Sequence, residues 1–401
     1  MEKLNVYINK KAEARVLNNH PWVFTSDITK TDENIKNGDI VTVRNNKDKF
    51  LGSAFYNNNS KIVLRIISRN ANDTFDYDFF KRRIEYALSY RMKVMPNDLN
   101  AFRLIYGEAD FLSGLTVDKF NDVLVCQILS LGIDIRKDII LKALYDVVSK
   151  YFKIRGIYLR CDVALREKEG LEEYVGWYDK IPVTSQETTT EIIENGLKYL
   201  VDFKEGQKTG FFLDQKYNRL TIRNLAKDMT VLDCCTHTGS FAMNAALGGA
   251  KKVMALDISQ KALLDAKKNF WLNNLNIDTY CADLFDYLRK LVDSKNKEYN
   301  LIILDPPAFT KSKDTIKSAL KGYQEINYLA MKALPRGGYL ATASCSHYAS
   351  EEDFIRAIFN ASIMAGVSLR VVKKSYAAPD HPEVMGIPET KYLKFFIFQV
   401  V

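Results

Sequence analysis

The sequence predicts an α/β protein in three parts: an all-β barrel over residues 1–72, a small middle α+β domain over 73–190, and a doubly wound, mostly parallel seven-stranded sheet over 191–401. Three observations carry that expectation. The first seventy residues hold short β-branched stretches separated by Asn and Gly turns. The next hundred mix amphipathic helices with alternating strands. From residue 191 onward, near-continuous apolar runs alternate with helical spacing, which is how strands buried on both faces of a parallel sheet read.

In the first part the strands are LNVYI (4–8), DIVTV (39–43) and KIVLRII (61–67), with turns at Asn18-Asn19, Asn37-Gly38, Asn45-Asn46 and Asn57 to Ser60. Residues 1–72 carry twelve Lys/Arg against seven Asp/Glu, so this small module holds a net +5 of the chain's +8. In the middle part, 75–95 and 136–152 have helical spacing. Residues 102–129 read as two strands around a Gly/Asp-rich turn, and 156–167 as another strand. In the last part, strands are expected at 230–235, 252–257, 279–283, 300–305 and 338–345, with helices such as 259–275 between them. Two late strands, 367–374 and 392–400, are expected to pair antiparallel at the edge.

Composition narrows the classes of function. No apolar run approaches the roughly 18 residues of a membrane span. The charged stretch MEKLNVYINKKAEARV is no signal peptide, so the expected location is the cytoplasm, with no membrane partner. The six cysteines, Cys126, Cys161, Cys234, Cys235, Cys281 and Cys345, form no CxxC pair and no ligand spacing with the four histidines. They are expected as free thiols with no metal site. The net charge of +8 favours an acidic partner such as nucleic acid, although solubility alone also accounts for it.

The densest local signal is VLDCCTHTGSFAMNAALGGAKKVMALDIS (231–259). One strand ends in Asp233, a turn built of Thr236, His237, Thr238 and Gly239 opens a helix, and a second strand ends in Asp257. In a doubly wound sheet, ligands bind at the carboxyl ends of the strands. An acid at the end of the second strand suits the ribose hydroxyls of an adenosine group. A dinucleotide site needs a GxGxxG turn for its pyrophosphate, and this turn has one glycine. A third strand ends in Asp283, suited to an adenine amino group. Together the three acids point to S-adenosylmethionine (SAM) over NAD. The competing reading makes each acid the cap of the helix that follows it. His237 is read as a turn residue at the cofactor and not as a catalyst.

The fourth strand delivers Asp305-Pro306-Pro307-Ala308-Phe309, and the fifth Ser344-Cys345-Ser346-His347. Two prolines stiffen the backbone after Asp305, which suits a carboxyl group gripping the edge of a flat base. A cysteine at a neighbouring strand tip works as a nucleophile if its thiolate is favoured. Carbon 5 of a pyrimidine becomes nucleophilic only after a group adds at carbon 6. Cys345 as that group and Asp305 as the hydrogen-bond partner of N3 form one mechanism. The alternatives are a buried inert thiol and a rigid strand-to-loop turn. Lys311 and Lys313, after this loop, are candidates for RNA phosphate contacts or for solvated lysines.

At these residues the chain resembles the RlmI family of bacterial large-subunit ribosomal RNA cytosine-5 methyltransferases. The resemblance runs through HPWVF (20–24), GDIV (38–41), LGSAFYN (51–57), EGQKTGFFLDQ (205–215), DPPAFTKSK (305–313), KGYQEIN (321–327), SCSH (344–347) and DHP (380–382). It implies a PUA RNA-binding barrel, a middle domain and a Rossmann-like class I methyltransferase domain. It further implies SAM as cofactor, 23S ribosomal RNA as partner, and a homodimer, since family members are often dimers. On this basis Cys345 is the nucleophile, Asp305 the base-gripping acid, and Phe212 and Gln215 contacts to the cofactor's methionine end. Related enzymes often carry a second cysteine after the proline of the fourth-strand motif; Ala308 stands there, and product release is left without an assigned helper. The DPPxF motif also resembles RNA guanine-N methyltransferases, in which no thiol is needed. A ribosome assembly factor that binds SAM without consuming it is the non-enzymatic alternative.

Overall fold

The computed structural model describes residues 4–295, 297–310 and 313–401. By its contacts the chain divides into two compact units. The first comprises residues 1–192, 201–213 and 379–390; the second comprises 193–200, 214–378 and 391–401.

The first unit begins with β1 (Asn5–Ile8), α1 (Lys10–Leu17), β2 (Trp22–Phe24), β3 (Ile28–Thr31), β4 (Ile40–Asn45), β5 (Phe50–Tyr56) and β6 (Ile62–Ser68). These strands form one sheet in the order β2-β6-β5-β4-β1-β3. Its core is small and aliphatic, built on Val6, Ile8, Val41, Val43, Leu64 and Ile66. The module is β-rich but includes one helix, α1, in a stretch the sequence analysis took as merely charged and alternating. Asn9 caps it by accepting from the Ala12 amide at 2.9 Å, and Ala12 and Val16 bury its inner face.

The middle part continues with α2 (Tyr77–Val94), β7 (Ala101–Tyr106), β8 (Leu115–Phe120), β9 (Val123–Ile128), α3 (Leu131–Ile135), α4 (Lys137–Val148), β10 (Gly156–Cys161) and β11 (Tyr174–Trp177). The sheet order is β11-β10-β9-β8-β7. Where two strands were expected over 102–129 there are three. Asn121, in left-handed conformation at φ 50°, makes a tight second turn between β8 and β9. Strands β9 and β10 run parallel across the α3–α4 crossover, and an apolar core from Phe79 to Tyr178 fills the space between helices and sheet. Pro379–Thr390 belongs to this unit. Asp380 accepts from the Arg103 amide at 2.9 Å, and its carbonyl accepts from Arg91 at 2.9 Å. Arg91, fully buried, also pairs with Asp110.

Two strands, β12 (Thr189–Glu194) and β13 (Leu197–Asp202), form a separate hairpin. The second unit then follows as α5 (Lys216–Leu225), β14 (Thr230–Cys234), α6 (Ser240–Leu247), β15 (Lys252–Asp257), α7 (Gln260–Leu272), β16 (Asp278–Cys281), α8 (Leu284–Asp293), β17 (Leu301–Leu304), α9 (Ile316–Ala333), β18 (Tyr339–Ser344), α10 (Glu351–Ala365), β19 (Leu369–Ser375) and β20 (Lys394–Val400). The seven strands lie in the order β16-β15-β14-β17-β18-β20-β19. The first five are parallel, and β20 inserts antiparallel between β18 and β19. This is the Rossmann-like, mostly parallel seven-stranded arrangement the apolar runs predicted. Chain order reverses between β14 and β17, so the switch point lies beside the ends of those two strands. Among the described residues no helix is long and apolar enough to cross a membrane.

Candidate functional site

The carboxyl ends of the five parallel strands share one edge of the sheet, and most of the sequence-predicted residues stand there. Asp233 is the fourth residue of β14 and fully buried. Its Oδ2 accepts from the Thr236 hydroxyl at 2.5 Å and the Ala242 amide at 2.9 Å. Its Oδ1 is buried with no hydrogen-bond partner. Burial raises the Asp233 carboxyl to about 7, against the lowering effect of those two donors.

The turn after β14 passes through left-handed conformations at Cys235, His237 and Gly239. Gly239 is required twice over: its φ is +82°, and a Cβ there would meet Phe270 Cε1 at 2.3 Å. The turn is tied to β15, because the His237 amide donates to Asp257 Oδ2 at 2.9 Å. Asp257 Oδ1 accepts from the Ser259 amide at 2.8 Å, while Asn269 holds the Thr238 carbonyl at 3.0 Å. Burial lowers the His237 imidazole below its ordinary value, favouring the neutral ring.

Asp283 caps α8. Its Oδ1 accepts from the Phe285 and Asp286 amides at 2.8 and 3.2 Å. All three acids accept from nearby backbone amides, but of the three Asp283 alone caps the helix after it; α6 starts from Gly239 and α7 from Ser259. Their carboxylates keep acceptor capacity beyond those bonds. Next to Asp257 stands Ile258, 69% exposed, a residue the sequence reading missed. An isoleucine just past the acid of the second strand was the available signal.

Asp305 follows β17 directly, and Cys345 follows β18 directly, on neighbouring parallel strands. Gln215 Nε2 donates to Asp305 Oδ1 at 3.1 Å. Gln215 is itself held by Asn218 at 2.6 Å, and Asn218 bonds the Ser375 hydroxyl at 2.7 Å and the Tyr376 carbonyl at 3.1 Å. The resemblance makes Gln215 a contact to the cofactor's methionine end; in the structure its side chain bonds Asp305. Cys345 is half-buried. Its predecessor Ser344 bonds the Tyr323 hydroxyl at 3.0 Å, and burial pushes the Tyr323 phenol up to about 12. Behind the loop lies Lys394, whose ammonium donates to the Ser346 and Ala349 carbonyls at 2.6 and 2.7 Å. No sequence motif announced it.

Phe212 lies in the first compact unit, with the Lys208 ammonium 4.5 Å from its ring centre. Lys311 lies outside the described residues. Lys313 opens a short 3-10 turn, Lys313–Thr315, and its side chain is outside the described part. All six cysteines are free. Among the described residues no group of three His, Cys, Asp or Glu side chains could hold a metal ion.

These residues fit SAM. A buried carboxylate oxygen without a partner suits a ligand that brings a cationic amino group. The turn has one glycine and no second close-approach position of the kind a pyrophosphate demands. An exposed aliphatic side chain beside the second-strand acid suits a flat purine.

Comparison with known proteins agrees with that fit. Residues 6–69 match the family model for a PUA-like domain. Residues 171–397, more than half the chain, match that of the S-adenosylmethionine-dependent methyltransferases. The chain is 39% identical over 403 residues to the ribosomal RNA large subunit methyltransferase I of Pseudoalteromonas atlantica, covering 99% of both. It is 38% identical over 396 residues to that of Aeromonas salmonicida, covering 97% of both. Among solved structures, SMU.776, a candidate methyltransferase in complex with SAH, shares the fold with a TM-score of 0.84 and 22% identity. That likeness covers 99% of this chain and 100% of the other. A candidate SAM-dependent methyltransferase from Streptococcus mutans gives 0.82 at 21% identity, with the same coverage.

Proposed function

The chain belongs to the family of the ribosomal RNA large subunit methyltransferases I, and from that premise we propose that it methylates carbon 5 of a cytosine in 23S ribosomal RNA, in the cytoplasm, through a covalent adduct on Cys345. The observation that carries this reading is Cys345 and Asp305 at the tips of adjacent parallel strands, on the edge that also bears the three acids.

SAM, when bound, supplies an electrophilic methyl group. Asp257 would accept hydrogen bonds from the ribose hydroxyls, Asp283 would accept one from the adenine amino group, and Ile258 would cover the purine. Asp233, with its unpartnered oxygen, would receive the amino acid end. A target base inside a duplex leaves the stack first, and a loop base does so at lower cost. The Cys345 thiolate then adds to carbon 6 of the cytosine, forming an S–C bond and pushing electron density to carbon 5 and N3. Asp305, protonated, donates to N3 and stabilises that charge. Carbon 5 would then take the methyl group that bound SAM supplies, the methyl–sulfur bond breaking to leave S-adenosylhomocysteine; a base removes the carbon 5 proton, and the S–C6 bond breaks to release Cys345 as thiolate. Gln215, itself held by Asn218, holds the Asp305 carboxyl in place.

The test is nucleoside mass spectrometry after incubation with methyl-labelled SAM and ribosomal RNA lacking its own modifications. Label in 5-methylcytidine is expected, falling by about 10³-fold or more in Cys345→Ala. Label in a methylguanosine, retained in Cys345→Ala, would overturn the cytosine reading while leaving the cofactor site standing.

A further inference from the structure

Lys394 is the first residue of β20 and pairs in register with Ser344, the last residue of β18. Its side chain is 3% exposed. Among the described residues the groups that accept from it are two neutral carbonyls, Ser346 and Ala349, which lie on the loop that begins with Cys345. A buried ammonium bonded to carbonyls has lost its hydration without gaining an ion pair among the described residues. A neutral donor would brace the same loop without that cost. The arrangement is economical if a negative charge develops beside it, and Cys345 is the group that would carry one.

We propose that Lys394 is a positioning residue for the nucleophile, clamping the loop after Cys345 and supplying the positive charge that favours its thiolate. The inference rests on Cys345 being the nucleophile. The groups that act on Lys394 are few. Burial lowers its ammonium to about 8, so it remains mostly protonated at neutral pH, and Cys345 and Glu351 act to raise it while Lys391 opposes them. Glu351, at the start of α10, is already engaged by Lys391 at 3.2 Å and by the Tyr376 hydroxyl at 3.1 Å. On the other side, Cys345 shares its surroundings with Tyr323 of α9 and with Asp305. Before a base is bound, an ionised Asp305 disfavours a thiolate nearby and a cation offsets it; once Asp305 is protonated to grip N3 that opposition is gone. By linkage the thiolate and the ammonium stabilise each other.

The experiment is alkylation of the full-length protein by iodoacetamide across about pH 6 to 10, in which the thiolate displaces iodide and forms an S–C bond. Modification of Cys345 is read by peptide mass spectrometry, with the exposed Cys281 as internal reference. In the wild type, Cys345 should react with a lower pH midpoint than Cys281. Lys394→Gln keeps a donor to the loop without the charge, and should raise the Cys345 midpoint by about one pH unit, slowing alkylation about tenfold at pH 7. Lys394→Arg should hold the midpoint near the wild-type value. Lys394→Met adds loss of the clamp; if it fails to fold, the Gln and Arg pair still decides the matter. Equal slowing at every pH with an unmoved midpoint would overturn the electrostatic role and leave a structural one. Failure of the nucleophile reading shows separately, as methylation that survives Cys345→Ala.

Discussion

Gln215 and Asp233 make the most specific demands at the scale of single residues. Gln215→Ala removes one hydrogen bond to the Asp305 carboxyl. It should lower kcat about ten- to a hundredfold, the worth of a hydrogen bond to a charged group, with little change in KM for SAM. Steady-state kinetics decides this: a raised KM for SAM with unchanged kcat would return Gln215 to the cofactor. Asp233 titrates near 7 in the folded protein against an ordinary 3.8. Its raised value means the folded state holds a proton that the unfolded state has lost. That contribution to stability is full below pH 3.8 and fades as pH rises to about 7. In urea unfolding of the ligand-free protein, the advantage of wild type over Asp233→Asn should therefore shrink from pH 5 to pH 8, by roughly 1 kcal/mol or more. An advantage that grows with pH would contradict the assignment. The three strand-end acids were legible because they are local. The tie between Gln215 and Asp305 joins residues ninety positions apart, and nothing in either neighbourhood announces the other.

At the scale of elements, the hairpin of β12 and β13 depends on contacts that local pattern does not reveal. Glu194, the last residue of β12, pairs with Arg219 of α5 at 2.6 and 2.8 Å, and both side chains are almost fully buried. Asn269 and Asn273 of α7 and its cap bond the backbone of Leu200 and Lys198 at 2.9 Å. Glu194→Ala removes both of these bonds from the buried guanidinium and should cost about 3–5 kcal/mol, read as a lower denaturant midpoint. A change under about 0.5 kcal/mol would mean the pair is solvated in solution. The apolar runs of β14, β15, β17 and β18 were legible because each is mostly buried and has a polar residue at or next to its carboxyl end. Helix α1 was not, since its charged face hides a two-residue apolar contact, Ala12 and Val16. The extra strand of the middle sheet was missed because Asn121-Asp122 was not taken as a turn.

For the whole molecule, the net +8 and its concentration in the first 72 residues bear on RNA affinity. If Lys and Arg neutralise phosphates, the logarithm of affinity should fall linearly with the logarithm of salt concentration, with a slope near −0.7 per phosphate on single-stranded RNA. Replacing Lys311 and Lys313 together by Ala should reduce that slope by about 1.4. Filter binding at several salt concentrations measures both, and an affinity indifferent to salt would remove the electrostatic account. The β-rich first module and the mostly parallel sheet were predictable from texture alone; that the module is PUA-like came from the resemblance. The return of Pro379–Thr390 to the first unit was not, because it depends on Asp380 reaching Arg103 and Arg91, more than 270 positions earlier.

The interleaving of the two units has a consequence for anyone who would trim the chain to a minimal catalyst. The backbone passes between units after residues 192, 200, 213, 378 and 390. No single cleavage or truncation therefore yields the second unit as one contiguous fragment. A piece beginning at Asp214 would discard Glu194 and its two hydrogen bonds to the buried Arg219. It would also lose Tyr199, whose hydroxyl accepts from Asn244 at 3.2 Å. A recombinant fragment must instead splice 193–200 onto 214–378 through a designed linker and replace the 379–390 excursion with a short connection to β20.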